Sequence, residues 1–558
     1  MDLKQVREAL DLITKDMESV ADEKASSVLK TLLNLVEVLA AENMHLRKEV
    51  QQLKDEINRL KGEQGKPTIR PQTKDEKENK NHSSEKERKI PKGKKPRKKK
   101  KGSIKVDRQV TCEVDKDTLP EDAVFKGYEI IVIQDIIVMT DNVEFKKEVY
   151  YSPSQKKTFM AELPGGYQGE FGPGIRALVL SLYNDSGMTQ PAIKRFFKTF
   201  GVHLAASTIS RMLTDKHEVF HQEKADIVAE GLKSTSYQQF DDTSARVNGK
   251  NHYTHVLCNP YYTAYFTTRT KDRLTILDVL CQEELQFTLN EESYQLMRDL
   301  GVIDKHIEKL KEMSQEQGQA LTREQIDKIL AQMFPNPKKQ KKNRRNILEA
   351  SAIVCYRYMD NSIKFLVCDD APQFYKIAMH RVLCWIHEGR HYKKLNPVVP
   401  LHKKSLDEFI DEFWLFYRKL LYYKNYPSQR YAEKLSDEFD ALFSKKTGYD
   451  ALDDRLAKTL AKKEELLLVL EFPFLPLHNN ESELGARVQA RKRDINLQTK
   501  NVKGTEAKDT FATIVQTARK LGVNIHDYLY DRITKGFKMP SLASIIADKP
   551  RIPNYHTP

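Results

Sequence analysis

Tyr237-Gln-Gln-Phe-Asp-Asp-Thr243 and Lys364-Phe-Leu-Val-Cys-Asp-Asp370 are two short apolar stretches that each run into a pair of aspartates. Both read as strands that end on acid. Asn248-Gly249 follows the first; both residue types tolerate positive φ, so the pair predicts a two-residue hairpin. His252–Asn259 and Tyr261–Arg269 read as two further strands, and Asp272–Leu280 as a helix. A helix and a short strand, Arg381–Trp385, follow the second acidic pair.

Carboxylates at the ends of neighbouring strands are costly to bring together. Each raises the pKa of the other, and burial raises it further, whereas a divalent cation reverses the cost. Asp241, Asp369 and the helix-borne Glu483 are the candidate set. They would form a hard oxygen site suited to Mg²⁺ or Mn²⁺, with two ions promoting an in-line displacement at phosphorus. A lone strand-end aspartate is more often a turn or cap residue. The order of three strands, a helix and a strand with the second aspartate matches an RNase H-like sheet, which is a fold-level analogy. Asp370 remains the alternate register to Asp369.

Five stretches resemble the insertion-sequence-66 family of bacterial transposases. They are Phe240-Asp-Asp-Thr-Ser-Ala-Arg-Val-Asn-Gly-Lys250; Leu366-Val-Cys-Asp-Asp-Ala-Pro-Gln-Phe374; Leu383-Cys-Trp-Ile-His-Glu-Gly-Arg-His391; Asn479-Asn-Glu-Ser-Glu-Leu-Gly-Ala-Arg487; and the block from Lys500-Asn-Val-Lys-Gly-Thr-Glu-Ala507 through Asp527-Tyr-Leu529. The resemblance covers roughly residues 235–530 outside an insertion. It implies Asp241, Asp369 and Glu483 as catalytic metal ligands. It also implies terminal inverted repeats and target DNA as substrates, a multimer, and helper proteins encoded by the same element. Leu484 stands where the family commonly has Arg, and His478 where it commonly has Asp. Cys112 stands alone where a cysteine-rich zinc motif is common, so no zinc is expected there. Cys384 and His387 are expected as structural braces, with Arg390, His391 and Lys393 as DNA contacts. Arg487, Arg491, Lys492 and Arg493, one to three turns beyond Glu483, either hold backbone phosphate or form a solvated helix face. A regulator derived from a transposase and a structure-selective nuclease on the same fold are the competing functions.

Outside this core, Leu39, Leu46, Leu53 and Leu60 repeat every seven residues, with Val36, Asn43, Val50 and Ile57 on the alternate seam. β-branched residues at one seam position, Leu at the other and a single Asn favour a parallel two-stranded coiled coil. An amphipathic helix packed on its own chain is the plainer reading. The formal net charge is +14. Residues 61–102 carry 17 Lys/Arg against 6 Asp/Glu, or +11, so the excess is concentrated in one polar segment. Such a segment suits a phosphate-binding tether, an import signal or a solubilising linker. Residues 188–213 have helix-turn-helix spacing around Gly201, with Ser207, Thr208, Ser210 and Arg211 able to reach bases or phosphates. Two helices of an ordinary bundle would have the same pattern. The six cysteines show no CxxC pair and no disulfide framework. No long apolar run or signal-peptide core is visible, so no membrane association is expected, and a cytoplasmic, nucleoid-associated location is.

The expected fold class is multidomain α+β. Its parts are a dimerising coiled coil (1–62), a basic linker (63–105), a small β-rich region (106–168, with Glu129–Ile133 and Glu148–Tyr151 as strands) and a helical DNA-binding segment (169–232). An RNase H-like α/β catalytic domain would comprise 233–281, 349–401 and 471–535, interrupted by helical insertions at 282–348 and 402–470. A C-terminal tail (536–558) follows.

Overall fold

The computed structural model describes residues 23–61 and 106–550, apart from 116, 118, 121–122, 168, 315–317 and 337. The basic linker therefore lies outside the described residues, as do the first 22 positions. The fold is mixed α+β, built on a five-stranded mixed sheet.

Helix α1 (Glu23–Leu60) is one continuous 38-residue rod. Its first half is docked. Leu33 is buried with Val399, and Val36 packs beside them. The Glu37 carboxylate accepts the backbone N–H groups of Val398 and Val399 at 2.7–3.0 Å, and Asn34 donates to Gly448 O at 3.0 Å. Its second half is bare, with Leu39, Leu46, Val50, Leu53, Ile57 and Leu60 all exposed.

Strands β1 (Val149–Ser152) and β2 (Lys157–Met160) form an exposed antiparallel hairpin. Residues 129–133, expected as a strand, form no strand among the described residues and are exposed. Their β-branched composition favours a strand, but a strand also needs a neighbour to pair with.

Helices α2 (Pro173–Asn184), α3 (Gln190–Thr199), α4 (Ala206–Thr214) and α5 (Glu218–Lys233) follow. Gly201 takes φ +78° between α3 and α4, where an L side chain would be strained. Ile193, Phe197, Leu204, Ile209 and Leu213 are buried beneath this pair. Ser207 and Arg211 are exposed, and Thr208 and Ser210 half-buried.

The central sheet has the order β5-β4-β3-β8-β9. Strands β3 (Tyr237–Val247), β4 (Lys250–Asn259) and β5 (Tyr262–Thr268) are antiparallel. The β3–β4 turn is Asn248-Gly249, with φ +47° and +76°, as the dipeptide predicts. Helix α6 (Arg273–Cys281) then leads into the first insertion. That insertion holds α7 (Glu291–Asp299), α8 (Asp304–Met313), α9 (Arg323–Met333) and a two-residue pairing of β6 (Phe287–Thr288) with β7 (Ala320–Leu321). Helix α10 (Lys341–Arg357) spans residue 348 and shares one hydrophobic core with α2–α6. Strands β8 (Phe365–Cys368) and β9 (His380–Leu383) run parallel to β3.

Helix α11 (Trp385–Lys393) opens on Trp385, which is fully buried in a second, aromatic core with Phe413, Phe416, Phe439 and Phe443. That core belongs to α12 (Pro400–Asn425), α13 (Gln429–Phe443), α14 (Asp450–Leu460) and α15 (Lys463–Glu471). Helices α16 (Asn480–Asn496), α17 (Val502–Leu521) and α18 (Ile525–Ile533) return to the sheet. The β5 edge is sealed by α17: Asp509, Thr513 and Thr517 accept the backbone N–H groups of Thr267, Tyr265 and Thr263 at 2.6, 3.1 and 3.2 Å. This spacing of four residues matches one helix face to alternate strand residues and removes an open edge. The expected tail contains helix α19 (Leu542–Ala547), packed through buried Leu542 and Ile546. No helix among the described residues is long and apolar enough to cross a membrane.

His217 joins α4 to α5 and stacks edge-on against Phe511 of α17, centroids 4.7 Å apart. Burial holds the imidazole neutral, down to about 4. The unfolded chain protonates this group first, near pH 6.5, so stability is lost as pH falls from there towards 4. Replacing His217 by Phe should flatten urea-unfolding stability between pH 7 and 4.5 by on the order of 2 kcal/mol relative to wild type. Parallel pH profiles for the two proteins would show that the ring is not held neutral.

Candidate active site

The register of the sheet positions the first two acids. Tyr237, Gln238 and Gln239 of β3 pair with Phe365, Leu366 and Val367 of β8. Two residues beyond the last pair, Asp241 on β3 and Asp369 just past the end of β8 come near enough for Asp369 to raise the Asp241 carboxyl. Side chains alternate between faces, so both acids share the face of Tyr237, Phe365 and Val367. Phe240, Leu366 and Cys368 point into the main core on the other side.

Glu483 arrives on α16, which is pressed onto the same face. Glu481 donates its backbone N–H to Gln239 Oε1 at 3.2 Å, and Tyr265 Oη donates to Gly485 O at 3.2 Å. Val256, the cross-strand neighbour of Asp241, lies directly under Gly485. A Cβ at Gly485 would sit 2.7 Å from Val256 Cγ1, so only glycine allows this approach. Gly485 is thus what lowers Glu483 towards Asp241.

The electrostatics record the crowding. Burial pushes Asp241 up to about 7, and Asp369, Asp242 and Glu483 add to the rise. Asp369 is raised as well, by burial first and then by Asp242 and Asp370. Each neighbouring aspartate is neutralised. Asp242 binds Lys271 at 3.0 Å and accepts from Gln373 at 3.1 Å. Asp370 is held by Lys462 of the second insertion and lies 3.5 Å from Arg381. Asp241 and Asp369 instead accept backbone N–H groups, from Asp242 at 2.8 Å and Ala371 at 3.1 Å.

Glu483 has a second set of neighbours. Arg390 donates one nitrogen to Glu483 Oε2 at 3.0 Å and another to His387 Nε2 at 3.0 Å. Among the described residues, Cys384, His387 and Glu483 form a trio whose ligand atoms lie within 4.8 Å of one another. Asp241 and Asp369 are outside this trio. Glu483 is thereby paired with the opposite charge of Arg390. Burial pushes the Cys384 thiol up to about 11, which disfavours the thiolate a soft metal needs.

The basic residues beyond Glu483 separate. Arg487 and Arg491 are exposed, Arg493 donates to Ser244 Oγ at 2.9 Å, and Lys492 is half-buried against the sheet. Lys393 lies 5.1 Å above the Trp414 ring, and His391 is half-buried. The sequence reading missed the Arg390–Glu483 contact and the role of Gly485. A glycine two residues after a helix-borne acid was the available signal, because glycine in a helix interior costs stability unless something must come close.

Residues 168–295 and 354–507 match the family described as Transposase IS66 family. An uncharacterized protein, y4jO, of Sinorhizobium fredii (strain NBRC 101917 / NGR234) is 31% identical over 327 residues, covering 57% of this chain and 98% of that relative.

Gly485→Ala should lower folding stability by about 2 kcal/mol through overpacking against Val256. Val256→Ala in the same chain should recover part of that loss. Additive losses in a double-mutant cycle by urea unfolding would show that the two residues do not meet.

Proposed function

The chain belongs to the IS66 transposase family, and from that premise we propose that it cuts DNA at the ends of a transposable element and joins those ends to target DNA. In this reading water adds to a phosphodiester phosphorus and the 3′-oxygen leaves as a hydroxyl. That hydroxyl then attacks the phosphorus of a target phosphodiester, whose own 3′-oxygen leaves as a hydroxyl. What supports the reading is that Asp241 feels both Asp369 and Glu483, where the paired strands β3 and β8 end and Gly485 lets α16 come close to Val256.

The donor set fits a divalent cation. Three clustered carboxylates, one pushed up to about 7, are a site whose repulsion a cation would relieve. Asp241, Asp369 and Glu483 would hold two Mg²⁺ or Mn²⁺ ions, which supply charge neutralisation at the attacking and leaving oxygens. The chain's own groups do the rest. The β3–β8 register orients the two aspartates. Lys271 and Lys462 draw Asp242 and Asp370 away, so that neither competes for the site. Arg390 orients Glu483 through their ion pair.

The strand order β5-β4-β3-β8-β9, with three antiparallel strands followed by two parallel ones, supports the RNase H-like reading. Helices α3 and α4, with Gly201 at positive φ and Ser207 and Arg211 exposed, support a helix-turn-helix that reads terminal repeats. The bare seam of α1 supports pairing of two chains as a coiled coil. A bacterial cytoplasmic setting, with helper proteins from the same element, completes the reading.

The test compares wild type with Asp241→Asn, Asp369→Asn and Glu483→Gln on DNA carrying the element's own ends, with Mg²⁺ or Mn²⁺. Each variant should still bind DNA while cleavage falls at least about a thousandfold, the loss of several kcal/mol at the transition state. Wild type that binds but never cuts, even with the neighbouring gene products added, would make the protein a regulator. Asp370→Asn should retain cleavage; a dead Asp370→Asn beside an active Asp369→Asn would shift the site by one residue.

A further inference from the structure

Where the β3–β4 hairpin meets the end of α16 there is a cleft lined by cations and by no carboxylate. Arg246, Lys492, Arg493 and Lys508 line it, together with Tyr183 and Gln489. It opens to solvent, and the cavity itself is narrow, about 30 Å³.

Two features mark it as built for an occupant. The first is Gln489, only 2% exposed, whose side-chain nitrogen and oxygen both lack a hydrogen-bond partner. A buried amide in that state is destabilising unless something arrives to bond it. The second is the charge. Burial lowers Lys492 to about 7, and its neighbours Lys508 and Arg519 lower it further, against partial relief from Asp509 and Asp185. Lys508 is lowered by burial too. An anion in the cleft would offset both costs at once. Arg493 is fixed as a wall by its bonds to Ser244.

The position of the cleft narrows the choice of anion. Ser244 lies three residues beyond Asp241 on β3, roughly 10 Å along the strand. Lys492 lies nine residues beyond Glu483 on α16, roughly 13 Å along the helix. Both elements lead from the acids to the cleft. Successive phosphates of one DNA strand rise about 3.4 Å along the axis but wind around it, so they lie roughly 6–7 Å apart through space and this span is about two nucleotides.

We propose that the Gln489–Lys492–Lys508 cleft seats a backbone phosphate of the DNA strand being processed, about two nucleotides from the phosphate that reacts. The choice of DNA rests on the transposase reading; the choice of phosphate rests on the cleft. Gln489 Nε2 and the two lysines donate to the phosphate oxygens, which makes this a fixed seat and not a diffuse basic face.

The experiment measures binding, so it does not depend on cleavage. Full-length Glu483→Gln protein is titrated with DNA carrying the element's ends, in which single phosphates are replaced one at a time by neutral methylphosphonates. One replacement about two nucleotides from the reacting phosphate should weaken binding about tenfold, and the same replacement should cost under about twofold once Lys492→Ala and Lys508→Ala are added. Gln489→Leu, which removes the unpartnered amide without charge change, should weaken binding of the unmodified DNA while raising thermal stability. Inorganic phosphate should raise the Tm of the Glu483→Gln protein and leave the triple variant unmoved. Equal methylphosphonate losses in both backgrounds overturn the proposal. So does a protein that takes inorganic phosphate in this cleft but shows no sensitive DNA position. Wild type that binds DNA without ever cutting it would instead sink the transposase reading, and the methylphosphonate profile would still decide the cleft.

Discussion

Repulsion among carboxylates is the constraint on which the centre of this protein depends. Asp241, Asp242, Asp369, Asp370 and Glu483 converge where β3, β8 and α16 meet, and most of them feel one another. Such a cluster persists only if the scaffold holds it by force from elsewhere. The sheet supplies part of that force, because the register of β3 against β8 is locked by apolar residues on both faces and a slip of one residue would turn each acid to the wrong side. Helix α16 supplies the rest, by resting a bare backbone on Val256.

The neutralising cations come from distant parts of the chain. Lys271 precedes α6, Arg381 lies on β9, Arg390 on α11, and Lys462 joins α14 to α15 in the second insertion. Glu388, buried beside Arg390, is in turn held by Arg455 and Thr459 of α14. The insertion is therefore tied into the charge balance of the site. Trp385 serves the same tie from the apolar side, since it starts α11 at the sheet and ends inside the aromatic core of the insertion.

What could be read from residues alone follows a physical division. Strands β4 and β5 and the Asn248-Gly249 turn were legible to within one or two residues, because period-two burial and positive-φ chemistry are local properties, whereas β3 runs past its aspartates to Val247. The face shared by Asp241 and Asp369 follows once β3 and β8 are placed side by side. The turn of Glu483 towards Arg390 was not legible, because it depends on which charges packing brings near. Ile130–Ile133 misled, because its composition asks for a strand and the pairing partner is set elsewhere. The Asp509–Thr513–Thr517 ladder along β5 was visible as a spacing of four but carried no meaning until an edge strand lay beneath it. The packing of α19 was hidden for the same reason.

Helix α1 carries a mechanical consequence. Its rise is about 1.5 Å per residue, so the rod is nearly 60 Å long, and it is clasped at Leu33, Asn34 and Glu37. The bare seam starts at Leu39, within a turn of the clasp, with no joint between them. The azimuth of the seam is thus tied to the body of the protein like a keyed shaft in a gear. One residue added between Glu37 and Leu39 would rotate everything beyond it by about 100°. Two chains that met along this seam would hold their bodies at a set mutual angle.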